Sequence, residues 1–211
     1  VLKRVDDGQE TLGRRIRIEA GDVVPNSTFI KGPVGGNGMT LAEICQAAIT
    51  RSDNTAANLI LRSLGGPPAV TAFARSIGDP VTRLDRTEPT LNEATPGDPR
   101  DTTTPAAMLN DMHRLLLGEV LSAASKAQLT AWLVGNKTGD TRLRAGLPGW
   151  RVGDKTGTGD HGTANDIGIA WPPGRKPILV TVYLTGTSTS AEQRSAAIAA
   201  VGRAAAAALG K

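Results

Sequence analysis

Three short segments of the 211-residue chain carry side chains able to do chemistry together, and they follow one another in a fixed order. Ser52-Asp53-Asn54 sets a hydroxyl, a carboxylate and an amide at the entrance of a helical stretch. Glu88-Pro89-Thr90-Leu91-Asn92 lies in a loop, and Lys155-Thr156-Gly157 ends a strand-like stretch and runs on into Thr158-Gly159. A serine hydroxyl next to a lysine ammonium can relay a proton. Glu88 and Asn92 are four apart, so one helical turn would present both on one face, where a carboxylate and an amide can share a water. A lysine with neighbouring threonine hydroxyls is a donor set for a carboxylate. Each segment alone has an ordinary explanation. Ser-Asp-Asn before a helix serves as an N-cap, Lys-Thr-Gly after a strand as a turn, and a loop glutamate as a solvated charge. It is their joint occurrence that carries weight.

The elements that must hold these segments follow from apolar spacing. Residues 41–49 have helical periodicity with Thr40 as cap. Residues 54–64 continue as an apolar helix stopped by Gly65-Gly66-Pro67, and further helices are predicted over 68–77, 104–117 and 122–133, the last capped by Ser122. Residues 150–156, 165–171 and 178–184 read as strands between Gly- and Pro-rich turns. The last is so continuously apolar and β-branched that a buried central strand is expected. An Ala-rich helix over 190–209 closes the chain. Helices, then strands, then a helix indicate an α+β domain rather than alternating α/β. Between the third and fourth helices, residues 85–101 hold three prolines, one glycine and five acidic residues without apolar periodicity. Arg86 and Asp101 could clasp the two ends, which predicts an ordered functional loop.

In this order and context, the motifs resemble those of the penicillin-recognising serine enzymes, and the loop motif resembles class A β-lactamases specifically. The likeness takes in Asp101-Thr102-Thr103-Thr104-Pro105, Arg142-Leu143-Arg144-Ala145-Gly146 and the stretch from Asp154 to Asp166. It implies a helical cluster packed on an antiparallel sheet of five strands, three of them in this chain. It implies hydrolysis of a β-lactam amide through a serine acyl-enzyme. Ser52 would pass a proton toward the leaving nitrogen with help from Lys155, and Asn54 would bond the substrate's amide side chain. Lys155, Thr156 and Thr158, backed by Arg142, would hold the substrate carboxylate, with Gly159 lining the same edge. The Thr158 N–H would form half of the oxyanion hole. Glu88, with Asn92, would activate the deacylating water, and the Glu88–Pro89 bond would be cis.

The resemblance also implies a nucleophile that these residues do not supply. No Ser-x-x-Lys occurs in the sequence; Thr28-Phe29-Ile30-Lys31 has the spacing with a threonine, but Gly32-Pro33 denies it a helix. Val1 to Gly8 resembles the far end of the nucleophile's helix, so the serine is expected about three helical turns upstream. One catalytic domain over 1–211, incomplete at its N-terminus, is therefore expected. Its missing segment, with the other half of the oxyanion hole and two strands, would be its natural partner. In some class A enzymes the cysteine at the place of Cys45 pairs with one on that helix; a buried free thiol is the equal alternative. Near Val24 to Ser27, many relatives have an aromatic wall where this chain offers Asn26. Gly159 stands where some carbapenem-hydrolysing relatives have cysteine.

Composition narrows the rest. The net charge is +4 with a pI near 9.6, but the basic residues are dispersed and only 3% of residues are aromatic, which argues against nucleic acid. One cysteine excludes an internal disulfide, and His113 and His161 lack metal-ligand spacing, so no cofactor or metal is implied. No stretch is apolar enough to span a membrane. A monomeric, periplasmic or secreted protein acting on a small β-lactam is the expectation. The alternatives are a non-catalytic homologue that at most binds β-lactams, and a D-Ala-D-Ala transpeptidase or carboxypeptidase, which would have no use for Glu88 with Asn92.

Overall fold

The computed structural model describes residues 1–30 and 34–209. A short helix, α1 (Leu2–Asp6), leads to a minimal antiparallel pair, β1 (Arg15–Ile16) with β2 (Met39–Thr40). Helix α2 (Leu41–Arg51) starts on a capping box in which Thr40 and Glu43 satisfy each other's backbone N–H groups. Helices α3 (Asn54–Leu64) and α4 (Pro67–Ser76) follow, and the long loop then leads to α5 (Pro105–Leu116) and α6 (Ala123–Val134), capped by Thr104 and Ser122. A single turn, α7 (Leu143–Gly146), precedes β3 (Arg151–Thr158), β4 (Ala164–Trp171) and β5 (Ile178–Leu184), and α8 (Ala191–Leu209) ends the fold. This is the expected α+β arrangement of a helical cluster on an antiparallel sheet.

Among the described residues the strand order is β3-β4-β5. The burial of β5 corrects one expectation, since the strand is half-buried, not fully buried, along its whole length. Its continuous apolar run has another cause: both faces meet helices. Leu179 packs toward Met112 and Leu116 of α5, whereas Val180 and Val182 pack on Ile198 of α8 and Leu143 of α7. Close approach of α7 to α8 needs a residue without a side chain, since a Cβ on Gly146 would stand 2.1 Å from the Ala199 carbonyl oxygen.

The other core lies among the helices. Ile44, Ala47, Ala56 and Leu59 join Ile18, Ile30 and Met39 in one cluster, and Leu2, Leu41, Cys45, Leu121 and Trp132 form another. Cys45 is buried and free, and burial pushes its thiol up to about 11. Beside it an apolar cleft of about 620 Å³ opens between α1, α2, α4 and α6, bordered by Val1, Ile49, Phe73 and Trp132. None of the described helices is long and apolar enough to cross a membrane.

Candidate active site

The three segments converge at one end of β3. Ser52 closes α2 in the left-handed conformation, φ 53° and ψ 41°, which turns the chain sharply into α3. The cap of α3 is not Ser52 but Asp53, whose Oδ1 accepts from Ala56 N at 3.0 Å. Its Oδ2 accepts from Phe29 N at 2.9 Å and Ile30 N at 3.1 Å, so Asp53 ties this turn to the loop that holds those two residues. With the cap role taken by its neighbour, the Ser52 hydroxyl is left for other work, and Lys155 Nζ donates to it. Lys155 also donates to its neighbour's carbonyl, Thr156 O, at 2.5 Å. Burial pushes the Lys155 ammonium down from the ordinary lysine range, and the Glu88 carboxylate is the chief influence raising it again. Asn54, the first residue of α3, is buried, and its N–H reaches Asn26 O at 3.4 Å. Lys31, Gly32 and Pro33, at the end of the Thr28 to Pro33 stretch, lie outside the described residues.

The loop from Asp85 to Asp101 is ordered around the expected clasp. Arg86 Nε donates to Asp101 Oδ2 at 2.6 Å, and Asp101 Oδ1 accepts from the N–H groups of Asp85 and Arg86 at 2.7 and 2.9 Å. Inside it, the Glu88–Pro89 bond is cis and a 3-10 turn spans Thr90–Asn92, rather than a full α-helical turn. Across that turn Asn92 Nδ2 donates to Glu88 Oε2 at 2.5 Å. Burial raises the Glu88 carboxyl, and the Asn92 amide and Lys155 ammonium pull it back toward the ionised form. The peptide of Glu88 is held from α3, where Asn58 Nδ2 donates to Glu88 O and Asn58 Oδ1 accepts from Glu88 N, both at 2.9 Å. Asn58 was missed in the sequence, although its spacing from Asn54 is the same four residues that joins Glu88 to Asn92.

The β3 edge supplies the third side. Thr156 Oγ1 lies 2.6 Å from Thr138 Oγ1, and Thr138 N and Oγ1 both donate to Asn136 Oδ1. Arg142 Nη1 donates to Gly157 O and Asn165 O at 2.7 and 2.6 Å, and Nη2 to Thr158 Oγ1 at 2.7 Å. Burial lowers the Arg142 guanidinium, which stays charged all the same. Gly159 lies against the loop: a Cβ there would stand 2.6 Å from Asn92 O, and the next amide, Asp160 N, donates to that oxygen at 2.9 Å. Of the nine residues singled out from sequence, Ser52, Lys155 and Thr156 form a chain of contacts, Glu88 pairs with Asn92, Arg142 binds Thr158, Gly159 lies against the Asn92 carbonyl, and Asn54 begins α3 two residues after Ser52. The arrangement offers a hydroxyl–ammonium pair, a carboxylate–amide pair and a cationic, hydroxyl-lined edge for an anion. Among the described residues no three His, Cys, Asp or Glu side chains gather as a metal site.

The chain belongs to the Beta-lactamase enzyme family, whose model matches residues 1–209, and within it to class A. It is 50% identical over 210 residues to a beta-lactamase of Streptomyces fradiae, covering 96% of this chain and 68% of that one. To Beta-lactamase CTX-M-8 of Citrobacter amalonaticus it is 49% identical, covering 96% and 70%. The solved ancestral (GNCA) class A beta-lactamase superposes with a TM-score of 0.97 at 65% identity, over 99% of this chain and 80% of that one.

Proposed function

We propose that this protein hydrolyses the amide bond of penicillin- and cephalosporin-type β-lactams through a serine acyl-enzyme, and that Glu88 activates the water that releases the product. The observation that carries this reading is the Glu88–Asn92 pair, 2.5 Å apart and pinned from α3 by Asn58. A carboxylate held this firmly beside an amide, its basicity raised by burial, is placed to take a proton from a shared water. That carboxylate favours a hydrolase over a transpeptidase, which must keep water away from its acyl-enzyme.

The remaining roles follow from charge and hydrogen-bonding capacity. Lys155, Thr156 and Thr158 bind the substrate carboxylate, with Arg142 fixing Thr158 from behind. Ser52, already bonded to Lys155, passes a proton to the departing ring nitrogen, and Asn54 bonds the acylamino side chain. The Thr158 N–H stabilises the oxyanion, and Gly159 borders the side-chain end of the cleft. In this reading the nucleophile belongs to a Ser-x-x-Lys segment outside these 211 residues, as part of the same catalytic domain. The apolar cleft beside Val1 supports it, since it offers a helix face the seat that none of the described elements takes. Action as a monomer outside the cytoplasm completes the proposal.

Intact-mass spectrometry before and after brief mixing with a penicillin tests it. The expected result is hydrolysed penicillin with a transient covalent adduct that becomes long-lived in Glu88→Ala. Unchanged penicillin with no adduct identifies a non-catalytic homologue instead, and a persistent adduct on the unaltered protein a transpeptidase-like enzyme.

A further inference from the structure

Beneath the β3 edge of the site lie two carboxyl groups to which the chemistry above gives no part. Asp166 pairs with Thr156 across β3 and β4, and Asp154 lies two residues before Thr156, so the three side chains leave the sheet on one face. Both aspartates are 0% exposed. Asp154 is well served: its Oδ1 accepts from Arg144 Nε at 2.5 Å and its Oδ2 from Asn136 Nδ2 at 2.7 Å. Asp166 has one donor, Leu143 N, at 3.0 Å from Oδ2, and its Oδ1 has no hydrogen-bond partner among the described residues. The two are diagonal neighbours on that face, and the Asp154 charge acts on Asp166.

Two neighbouring buried carboxylates cannot both stay ionised. Asp166, which has the fewer donors, is the one to hold a proton, and its Oδ1 then has a hydrogen to give. No charge is left on the unpartnered oxygen. Two arms leave the pair toward the site. One runs through Leu143 N to the adjoining Arg142, whose guanidinium holds Gly157 and the Thr158 hydroxyl. The other runs from Asp154 to Asn136, whose amide nitrogen faces the carboxylate so that its oxygen faces Thr138; Thr138 then accepts from the Thr156 hydroxyl.

We propose that Asp166, fully buried beside Asp154 with one oxygen unpartnered, is a positioning residue that sets Arg142 and Thr156 for an anionic substrate group. The inference rests on the β-lactamase reading only in taking that anion to be the substrate carboxylate. Burial and the Asp154 charge hold the Asp166 proton on well beyond the ordinary carboxyl range, against the pull of Leu143 N–H and Arg142. The other charges facing the pair are Arg144 on α7 and Lys155 on β3. In alkaline solution Asp166 ionises, two negative charges meet in the core, and the arms lose their fixed geometry. Lys155, lowered by burial, weakens anion binding in the same direction, so the two must be separated by substitution.

Asp166→Asn does so, because an amide accepts from Leu143 N and keeps a hydrogen to give without titrating. In the full protein, the Asp166 carboxyl 13C shift is expected to report the acid at neutral pH. D166N should keep KM for a penicillin within about threefold of the parent at neutral pH and lose part of the parent's alkaline rise in KM. Asp166→Ala should raise KM by about tenfold with less change in kcat. An ionised Asp166 at neutral pH overturns the proposal, as does D166N tracking the parent's alkaline rise unchanged, or D166N losing as much affinity as D166A. If D166A does not fold, the carboxyl shift and the D166N profile still decide. If the parent turns over no penicillin, the functional reading fails by itself. The carboxyl shift, with the Arg142 guanidinium signals compared between parent and D166N, then decides this inference alone.

Discussion

The Arg86–Asp101 clasp permits a quantitative prediction, because it closes a loop that carries Glu88 and Asn92 but contributes little to either core. In Arg86→Ala, Asp101 stays with its side chain 3% exposed and its Oδ2 without the guanidinium at 2.6 Å. Removing one partner of a buried ion pair costs about 3–5 kcal/mol. Asp101 keeps two backbone N–H groups on Oδ1, so the low end, about 3 kcal/mol, applies here. Arg86 also loses Glu93, whose side chain is 46% exposed and turns to water at a cost of no more than about 1 kcal/mol. The penalty falls on local opening of the loop. Amide hydrogen exchange reads it directly: about 3 kcal/mol corresponds to roughly a hundredfold faster exchange where opening limits the rate. The reporters are Leu91, Asn92 and Glu93, whose N–H groups bond to Thr87, Pro89 and Thr90 within the loop. Amides of β3 and β4 should hold their protection. Unchanged exchange at residues 91–93 would refute the argument that the ion pair holds the loop, and uniform acceleration across the sheet would refute the argument that the loop opens by itself.

Other perturbations have equally definite outcomes. Asn58→Ala removes both bonds to the Glu88 peptide and should lower stability by about 1–3 kcal/mol while prolonging the acyl-enzyme, seen by denaturant titration and by adduct lifetime. Gly139→Ala drives a Cβ to 1.8 Å from Asp154 Oδ2 and should cost at least about 1–3 kcal/mol, whereas Gly21→Ala, with nothing within 4 Å, should be nearly neutral in thermal melts. Asp111, buried beside Asp79 on α5, is pushed up to about 6 by burial and by that neighbour, while Asp79 is held down at about 2 by the Val81 and Thr82 N–H groups. A raised carboxyl favours the fold fully below its unfolded value of about 3.9, and that contribution is lost as pH rises through about 6. Asp111→Asn should therefore gain on the parent by about 1–2 kcal/mol between mildly acidic and neutral pH, after discounting for solvent around Arg114, as measured by urea midpoints across that range. The Asp79 contribution behaves oppositely, present above its unfolded value and lost toward about pH 2.

Periodicity and caps made most of the elements legible in the sequence, because Thr40, Asp53, Thr104 and Ser122 each satisfy backbone donors that the helix itself leaves open. The degree of burial of β5 was not legible. A run of apolar residues reports that both faces are covered, by α5 and by α8, and says nothing about how completely. The clasp of Arg86 on Asp101 could be anticipated from charges at the two ends of a proline-rich loop. The residues that support the motifs could not: Asn136 and Thr138 sit in no signature, Asp166 only ends a stretch whose likeness gave it no role, and their parts arise only where β3, β4 and the turn before α7 meet.

That difference has a physical source. A motif residue acts through its own functional group, so its type and spacing betray it, whereas a supporting residue acts through the geometry of another group and any residue with the right donors could serve. Ser52 illustrates the dependence. Its hydroxyl is available to Lys155 because Asp53 has taken the capping of α3 and, with its second oxygen, the N–H groups of Phe29 and Ile30. Replacing Asp53 by alanine would leave three buried donors competing for water or for Ser52. The Ser52–Lys155 contact would then suffer although neither residue had changed. The Ser52–Lys155 contact is thus held by the hydrogen bonds around Asp53 as much as by the two side chains that make it.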